Sequence, residues 1–353
     1  MSADTQFMQR CLQLASLGLG STAPNPMVGC VIVHNEKIIG EGYHKQYGGP
    51  HAEVNAINTV KDKAFLKDSS LYVNLEPCSH FGKTPPCADL IIKMQIPEVI
   101  IGIKDPFEEV AGKGIQKLEN AGVKVRINVL EQECRDLNKR FLTFHEKKRP
   151  YIILKWAKTL DGYIGIKSED YAKGRPSWIT DEKLKSLVHK WRTEEQAIMV
   201  ATNTALLDNP QLNVREWKGK DPLRIVLDQH LRLPKNLHIF DGSIPSIVFT
   251  GKNNTKYNSL NLEYITLDFD HDIIKQICDV LFIKNIQSLI IEGGTQLLNT
   301  FISIGIWDEA RIFTGNKEFK DGVKAPEIYG DTFSSTYINN DHLLILKNPS
   351  QKL

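Results

Sequence analysis

The sequence is poor in cysteine, nearly neutral and without a long apolar run, and each shortage removes a class of protein. Six cysteines in 353 residues, at positions 11, 30, 78, 87, 134 and 278, are too thinly spread for the disulfide frameworks of small secreted domains, so reduced thiols are expected. A formal net charge of +2 does not create the field that draws in nucleic acid. The one basic cluster, Lys147-Lys148-Arg149, reads as a solvated junction. No stretch is apolar over enough residues to span a bilayer, and Met1-Ser2-Ala3-Asp4-Thr5-Gln6 lacks the charged start and apolar run of an export leader. Neither nucleic acid nor membrane is an expected partner, and a cytoplasmic location is expected.

The length exceeds what one ordinary core needs, so two domains are expected. The pattern changes around residues 146–150, which places a first domain over 1–146 and a second over 150–353. In the first, Asp4 is positioned to cap a helix reaching about residue 19, and residues 27–33 and 38–43 read as strands joined by a tight turn. A helix follows from 51 to 60, a strand at 70–75, and a helix opened by Pro85-Pro86. Strands at 98–103 and 123–128 flank a helix at 114–120, and one closing helix spans 131–146. The second domain alternates strands and helices up to about residue 304. Beyond Phe313 only residues 343–346 read as a strand, and 316–337 reads as loop. Alternation of this kind implies layered α/β domains.

The chemistry concentrates in His51-Ala52-Glu53 and in Pro77-Cys78 followed, eight residues later, by Cys87. One imidazole and two thiolates with a vacant fourth position are what a catalytic zinc ion requires, whereas a structural zinc is normally closed by a fourth protein ligand. His51 and Cys87 each fall at a helix start, where unpaired N–H groups favour negative charge. In a regular helix His51 and Glu53 diverge by about 200°, so His51 must occupy the non-helical cap if both are to face one metal. Glu53 can then carry a proton to a departing amino group, which makes the expected reaction hydrolytic deamination. The bland alternative is that His80 closes a Cys2His2 structural site, although such a site has no use for Glu53. Otherwise His80 contacts substrate or orients Cys78. His44 reads equally as a satisfied turn histidine or a substrate contact. Lys83 reads as a solvated loop lysine or a phosphate contact, and Asn25, between two prolines, as a turn residue.

In the second domain Leu289-Ile290-Ile291-Glu292-Gly293-Gly294-Thr295 is a buried strand breaking into two glycines before a helix. Glycines let backbone approach a phosphate, but the same pair also makes an ordinary tight turn. It is not the G-x-G-x-x-G fingerprint, so a Rossmann fold is not expected.

His51-Ala52-Glu53 with Pro77-Cys78 is similar to the zinc-dependent cytidine deaminase superfamily, apart from the expanded spacing between the cysteines. The whole run from Pro77 to Cys87, with Pro24-Asn25-Pro26-Met27-Val28-Gly29 upstream, resembles the bifunctional deaminase/reductase family of riboflavin biosynthesis. The second half carries the resemblance further, in Leu154-Lys155, Leu160-Asp161-Gly162, Trp178-Ile179-Thr180, Leu207-Asp208-Asn209-Pro210 and Glu292-Gly293-Gly294. The resemblance implies a cytidine-deaminase-like three-layer α/β domain followed by a dihydrofolate-reductase-like α/β domain, with one zinc ion per chain and NADPH as cofactors. Carried over position by position, it implies cofactor contacts at Ala157, Trp178, Thr204, Asp208, Gly293, Gly294 and Thr295. It implies contacts to a small phosphoribosylaminopyrimidine at Arg192, Leu212, Arg215 and Glu292, arginine being suited to phosphate by its planar fork. Lys155 is a candidate proton donor. The family has serine two residues before the tryptophan, where this chain has Pro176 followed by Ser177, so the hydroxyl contact there is an open expectation, as is a homo-oligomer. The implied reactions are deamination of 2,5-diamino-6-(5-phosphoribosylamino)pyrimidin-4(3H)-one and reduction of its ribosyl chain to ribityl. Two rival readings are a nucleic-acid-editing deaminase with an accessory domain and a non-catalytic structural-zinc protein.

Overall fold

Residues 2–79, 85–107, 111–166 and 178–351 are described by the computed structural model, and the chain divides between Lys148 and Arg149 into two units. The first contains α1 (Ala3–Ser16), β1 (Gly29–His34), β2 (Lys37–Tyr43), α2 (Ala52–Thr59), β3 (Ser70–Leu75), α3 (Cys87–Lys93), β4 (Glu98–Ile103), α4 (Lys113–Asn120), β5 (Lys124–Arg126), α5 (Glu131–Leu137) and α6 (Lys139–Lys147). The sheet order is β2-β1-β3-β4-β5, with β1 antiparallel to both neighbours and β3, β4 and β5 parallel. Asn35 and Glu36 both take positive φ at the β1–β2 turn, the handedness that matches strand twist in a two-residue hairpin.

Alternate residues of these strands face opposite layers. Cys30, Ile32, Leu71, Val73, Val99 and Ile101 pack against Ala52, Ala56, Ala88, Ile91 and Leu118 of α2, α3 and α4. Val31, Val33, Tyr72 and Ile100 pack against Met8, Cys11 and Leu14 of α1 and against Cys134, Phe141 and Leu142 of α5 and α6. A sheet buried on both faces reads as near-continuous apolar runs, which is why β3 and β4 were legible in the sequence.

Three expectations are corrected here. Ser2, not Asp4, caps α1 by accepting the Thr5 N–H at 3.3 Å; Asp4 reaches across to the Tyr72 hydroxyl at 2.8 Å and to Arg126. The helix also ends at Ser16. The closing helix is two helices, broken at Asn138, whose side chain accepts the Met27 N–H at 2.8 Å and donates to the Met27 carbonyl at 2.9 Å.

The second unit contains β6 (Tyr151–Lys158), β7 (Tyr163–Gly165), α7 (Leu184–Glu194), β8 (Ala197–Ala201), α8 (Thr202–Asp208), β9 (Leu223–Leu227), β10 (Ser246–Thr250), β11 (Leu262–Thr266), α9 (Ile273–Ile283), β12 (Ser288–Glu292), α10 (Thr295–Ile304), β13 (Glu309–Thr314), β14 (Val323–Lys324), β15 (Asp331–Ile338) and β16 (Asp341–Lys347). Its nine-stranded sheet has the order β11-β10-β9-β8-β12-β6-β13-β16-β15. Neighbours are parallel from β11 to β13, and β16 and β15 close it antiparallel. Ile152, Leu154 and Trp156 of β6 face α9 and α10; Tyr151 and Ile153 face the layer that holds α7 and α8.

The sequence reading missed β7 and β13 and took β14 and β15 for loop. β15 is an edge strand with most of its residues exposed, so Asp331-Thr332-Phe333-Ser334-Ser335-Thr336-Tyr337 carries no apolar alternation, and only its pairing with β16 makes it a strand. The solvated junction is also corrected at Arg149. That side chain is buried and forms two bonds to Asp308 at 2.6 and 2.8 Å, while Asp308 accepts the Ile152 N–H at 2.8 Å. Among the described residues no helix is long and apolar enough to cross a membrane.

Candidate functional site

The first site is built from three chain segments. Gly48-Gly49-Pro50 leads into His51, which caps α2 with extended backbone (φ −71°, ψ 165°). Cys78 lies just past the end of β3, and Cys87 is the first residue of α3. The tertiary fold places His51 Nδ1 3.6 Å from Cys78 Sγ and 3.3 Å from Cys87 Sγ. All three donor atoms lie within 4.8 Å of one another.

Electrostatics favour one thiolate in this cluster. Cys78 is pushed down to about 4 by the hydrogen bond from the Cys87 thiol, against its burial and with help from His51; Cys87 is raised because it shares that proton. The bond to Cys78 raises His51. Two soft sulfurs and one imidazole nitrogen at this separation fit zinc, which takes Cys and His ligands tetrahedrally. Glu53 is buried in the first turn of α2. Burial, then the charge at Cys78, raises its carboxyl above the ordinary range.

Asn25 and His44 stand beside the cluster. His44 Nδ1–H donates to the Pro50 carbonyl at 3.0 Å, and its Nε2 accepts from Asn25 Nδ2 at 3.1 Å. The ring therefore has both nitrogens partnered, stays neutral because burial lowers its pKa, and meets the His51 ring edge-on at 5.5 Å. His80, Lys83 and Ser177 lie outside the described residues.

Several positioning groups escaped the sequence reading. Glu76, two residues before Cys78, accepts four backbone N–H groups, from Asp105, Gly112, Gly114 and Ile115, at 2.9 to 3.2 Å. A carboxylate at the start of α4 is where the helix dipole favours one. Asn74 accepts the Gly29 N–H at 2.7 Å and donates to the Met27 carbonyl at 3.0 Å. With Asn138 it fixes the segment following Asn25-Pro26. The only local signal was polarity in and just past an apolar strand, at Asn74 and Glu76.

The second site is a cleft of about 1970 Å³ in the second unit, at the carboxyl ends of parallel strands, where open α/β sheets place ligands. Lys155 and Ala157 of β6, Thr204 and Asp208 of α8, and Glu292 through Thr295 between β12 and α10 line it. Arg192 of α7, Leu212, Arg215 and Trp178 complete the set named from the sequence. Trp178 is not a core residue; it is 46% exposed, with Lys185 Nζ 4.1 Å from the centroid of its ring.

Gly293 has φ 156°, a conformation side chains resist. Gly294 donates its N–H to Thr204 Oγ1 at 3.0 Å, so one of the donors expected at this turn is already used. Glu292 Oε2 meets Arg192 Nη2 at 3.1 Å, and its Oε1 lies 3.7 Å from Lys155 Nζ. Burial works to raise the Glu292 carboxyl, but Arg192 and Lys155 outweigh it and hold it at about 2. Burial lowers Lys155. Glu292 Oε1 and Arg192 Nε are buried with no hydrogen-bond partner among the described residues, leaving an acceptor and a donor for a polar ligand. His189, on the same wall, was not named from the sequence.

Residues 1–103 match the family model described as the cytidine and deoxycytidylate deaminase zinc-binding region, and residues 150–317 match that of the RibD C-terminal domain. The riboflavin biosynthesis protein RibD of Aquifex aeolicus is 39% identical over 328 residues, covering 92% of this chain and 90% of that protein. Its counterpart in Bacillus amyloliquefaciens is 37% identical over 349 residues, covering 97% and 90%. A solved structure of a diaminohydroxyphosphoribosylaminopyrimidine deaminase/5-amino-6-(5-phosphoribosylamino)uracil reductase from Thermotoga maritima is similar with a TM-score of 0.87 at 35% identity, covering 98% of this chain and 99% of that one.

Proposed function

The chain belongs to the RibD family of bifunctional deaminase/reductases in riboflavin biosynthesis, and on that premise we propose how its residues divide the two reactions. The first domain is a zinc-dependent deaminase and the second an NADPH-dependent reductase.

His51, Cys78 and Cys87 hold the zinc, whose ion supplies Lewis-acid activation of water near neutral pH. Glu53 moves a proton from the attacking water to the ring amino nitrogen, which leaves as ammonia. Asn25 and His44 form a neutral wall beside His51 that orients the pyrimidine, and Glu76 keeps Cys78 in place. The substrate is 2,5-diamino-6-(5-phosphoribosylamino)pyrimidin-4(3H)-one.

In the second domain the Gly293-Gly294-Thr295 turn, Thr204, Asp208, Ala157 and Trp178 seat NADPH, which supplies a hydride to the opened ribosyl chain. Arg192, Leu212, Arg215 and Glu292 seat the phosphoribosyl group. Lys155, buried with its Nζ 3.7 Å from Glu292 Oε1, is a donor for the proton that accompanies the hydride. Six free thiols accord with a reducing cytoplasm.

The observation that carries this reading is the convergence of His51, Cys78 and Cys87 from three segments onto one point beside buried Glu53. The test is incubation with the pyrimidine, zinc and either NADPH or NADH, with ammonia and cofactor oxidation followed separately. Ammonia is expected without cofactor, and NADPH oxidation only after deamination. Cofactor oxidation without ammonia release would overturn the assignment.

A further inference from the structure

We propose that His189 is a positioning residue that sets Arg192 and Arg215 as a clamp for the substrate phosphate. The inference rests on the reading of this cleft as the phosphoribosyl site. His189 and Arg192 are three residues apart on α7 and therefore share one helical face. Both line the cleft, and His189 is 3% exposed.

The segment Asn213–Arg215 is joined to that face at two points. The Arg215 N–H donates to His189 Nδ1 at 3.2 Å, and Arg192 Nη1 donates to the Asn213 carbonyl at 3.0 Å. Arg215 Nη1 donates in turn to Asn213 Oδ1 at 3.0 Å. Both guanidinium groups are thus referenced to Asn213, and the His189 bond fixes how far Arg215 stands from the helix. Leu212, just before this segment, is buried with φ 52°, so the backbone enters it in a constrained conformation.

The bond also fixes the charge of the ring. Nδ1 must keep its lone pair to accept from Arg215, so the proton sits on Nε2 and the imidazole is neutral. A second proton would break the bond and face two guanidinium groups. Burial, then Arg192 and Arg215, hold the ring at about 4, with Glu216 and Glu292 opposing weakly. At this end of the cleft the three cations Lys155, Arg192 and Arg215 stand against two carboxylates, Glu292 and Glu216. That excess of positive charge suits a phosphate monoester, which carries about −1.5 to −2 at neutral pH. Neutral His189 holds the two arginines together without adding a third like charge.

The test compares H189N, H189Q and H189L in the full-length zinc-loaded protein. Asparagine places an oxygen where Nδ1 was, whereas glutamine and leucine leave the Arg215 N–H without that acceptor. The measurements are KM and kcat on 5-amino-6-(5-phosphoribosylamino)uracil, inhibition by ribose 5-phosphate, and NADPH binding by tryptophan quenching. H189Q and H189L are expected to raise KM and the ribose 5-phosphate inhibition constant about tenfold, with kcat and NADPH binding within twofold. H189N is expected to stay near wild type. Unchanged KM in H189L, or H189N as impaired as H189L, would overturn the proposal, as would an equal loss of NADPH binding. R215Q separates the two levels: if it leaves KM unchanged the reading of the cleft fails, and if it raises KM while H189Q does not, only the role of His189 fails.

Discussion

Gly114, in the first turn of α4, stands so close to Pro77 that a Cβ built on it would fall inside the envelope of the Pro77 carbonyl oxygen. The Gly114 N–H also donates to Glu76 Oε1 at 2.9 Å. The helix start is therefore pressed against the residue preceding Cys78, and the metal-site geometry depends on a missing side chain some 36 residues away in sequence.

G114A should push Pro77 and Cys78 outward or unseat the first turn of α4. Zinc retained per chain after dialysis against a chelator should fall, and ammonia release with it. NADPH oxidation on supplied deaminated substrate should stay within twofold. Wild-type zinc retention would show that the contact does not hold the site.

E53Q keeps the shape of the side chain but cannot relay a proton. Zinc content should be unchanged, ammonia release should fall on the order of 10²–10⁴-fold, and reduction of the supplied deaminated intermediate should continue. A parallel loss of reduction would contradict the separation into two sites.

T204V removes the hydroxyl that accepts the Gly294 N–H. A lost hydrogen bond in this setting costs about 1–1.5 kcal/mol, so NADPH binding measured by tryptophan quenching should weaken about tenfold, with ammonia release untouched. Unaltered binding would mean the turn holds its shape without Thr204.

All five tryptophans, Trp156, Trp178, Trp191, Trp217 and Trp307, lie in the second unit, so tryptophan fluorescence reports that unit alone. His189 is held at about 4, below the ordinary 6.5, by burial and by Arg192 and Arg215. Between those values the unfolded chain takes up a proton that the native state refuses, so stability present above pH 6.5 is lost as pH falls toward 4. Glu292, held at about 2 against an ordinary 4.5, adds a second loss below 4.5. The urea midpoint should be flat from pH 8 to 7, drop between 6.5 and 4, and drop again below; H189N should remove the first step. A midpoint constant down to pH 4.5 would contradict this account.

The strands at 70–75 and 98–103 were legible with their bounds, because strands buried on both faces read as uninterrupted apolar runs. The cap position of His51 was legible too, since only there can an imidazole and a carboxylate two residues on share a target. β13 and β15 were not, nor was the break at Asn138. β15 owes its conformation to β16, and Asn138 owes its role to Met27, 111 residues away.

The sequence by itself determined which groups carry the proposed chemistry, because His51, Glu53, Cys78 and Cys87 hold their reactivity in their side chains and Glu292-Gly293-Gly294 holds its turn in its backbone freedom. Only the tertiary structure decided what holds those groups still. Glu76, Asn74, Asn138 and His189 are buried polar residues whose partners are backbone groups of remote segments. A buried polar group must find a hydrogen bond, but nothing in the local sequence says which distant N–H or carbonyl will supply it.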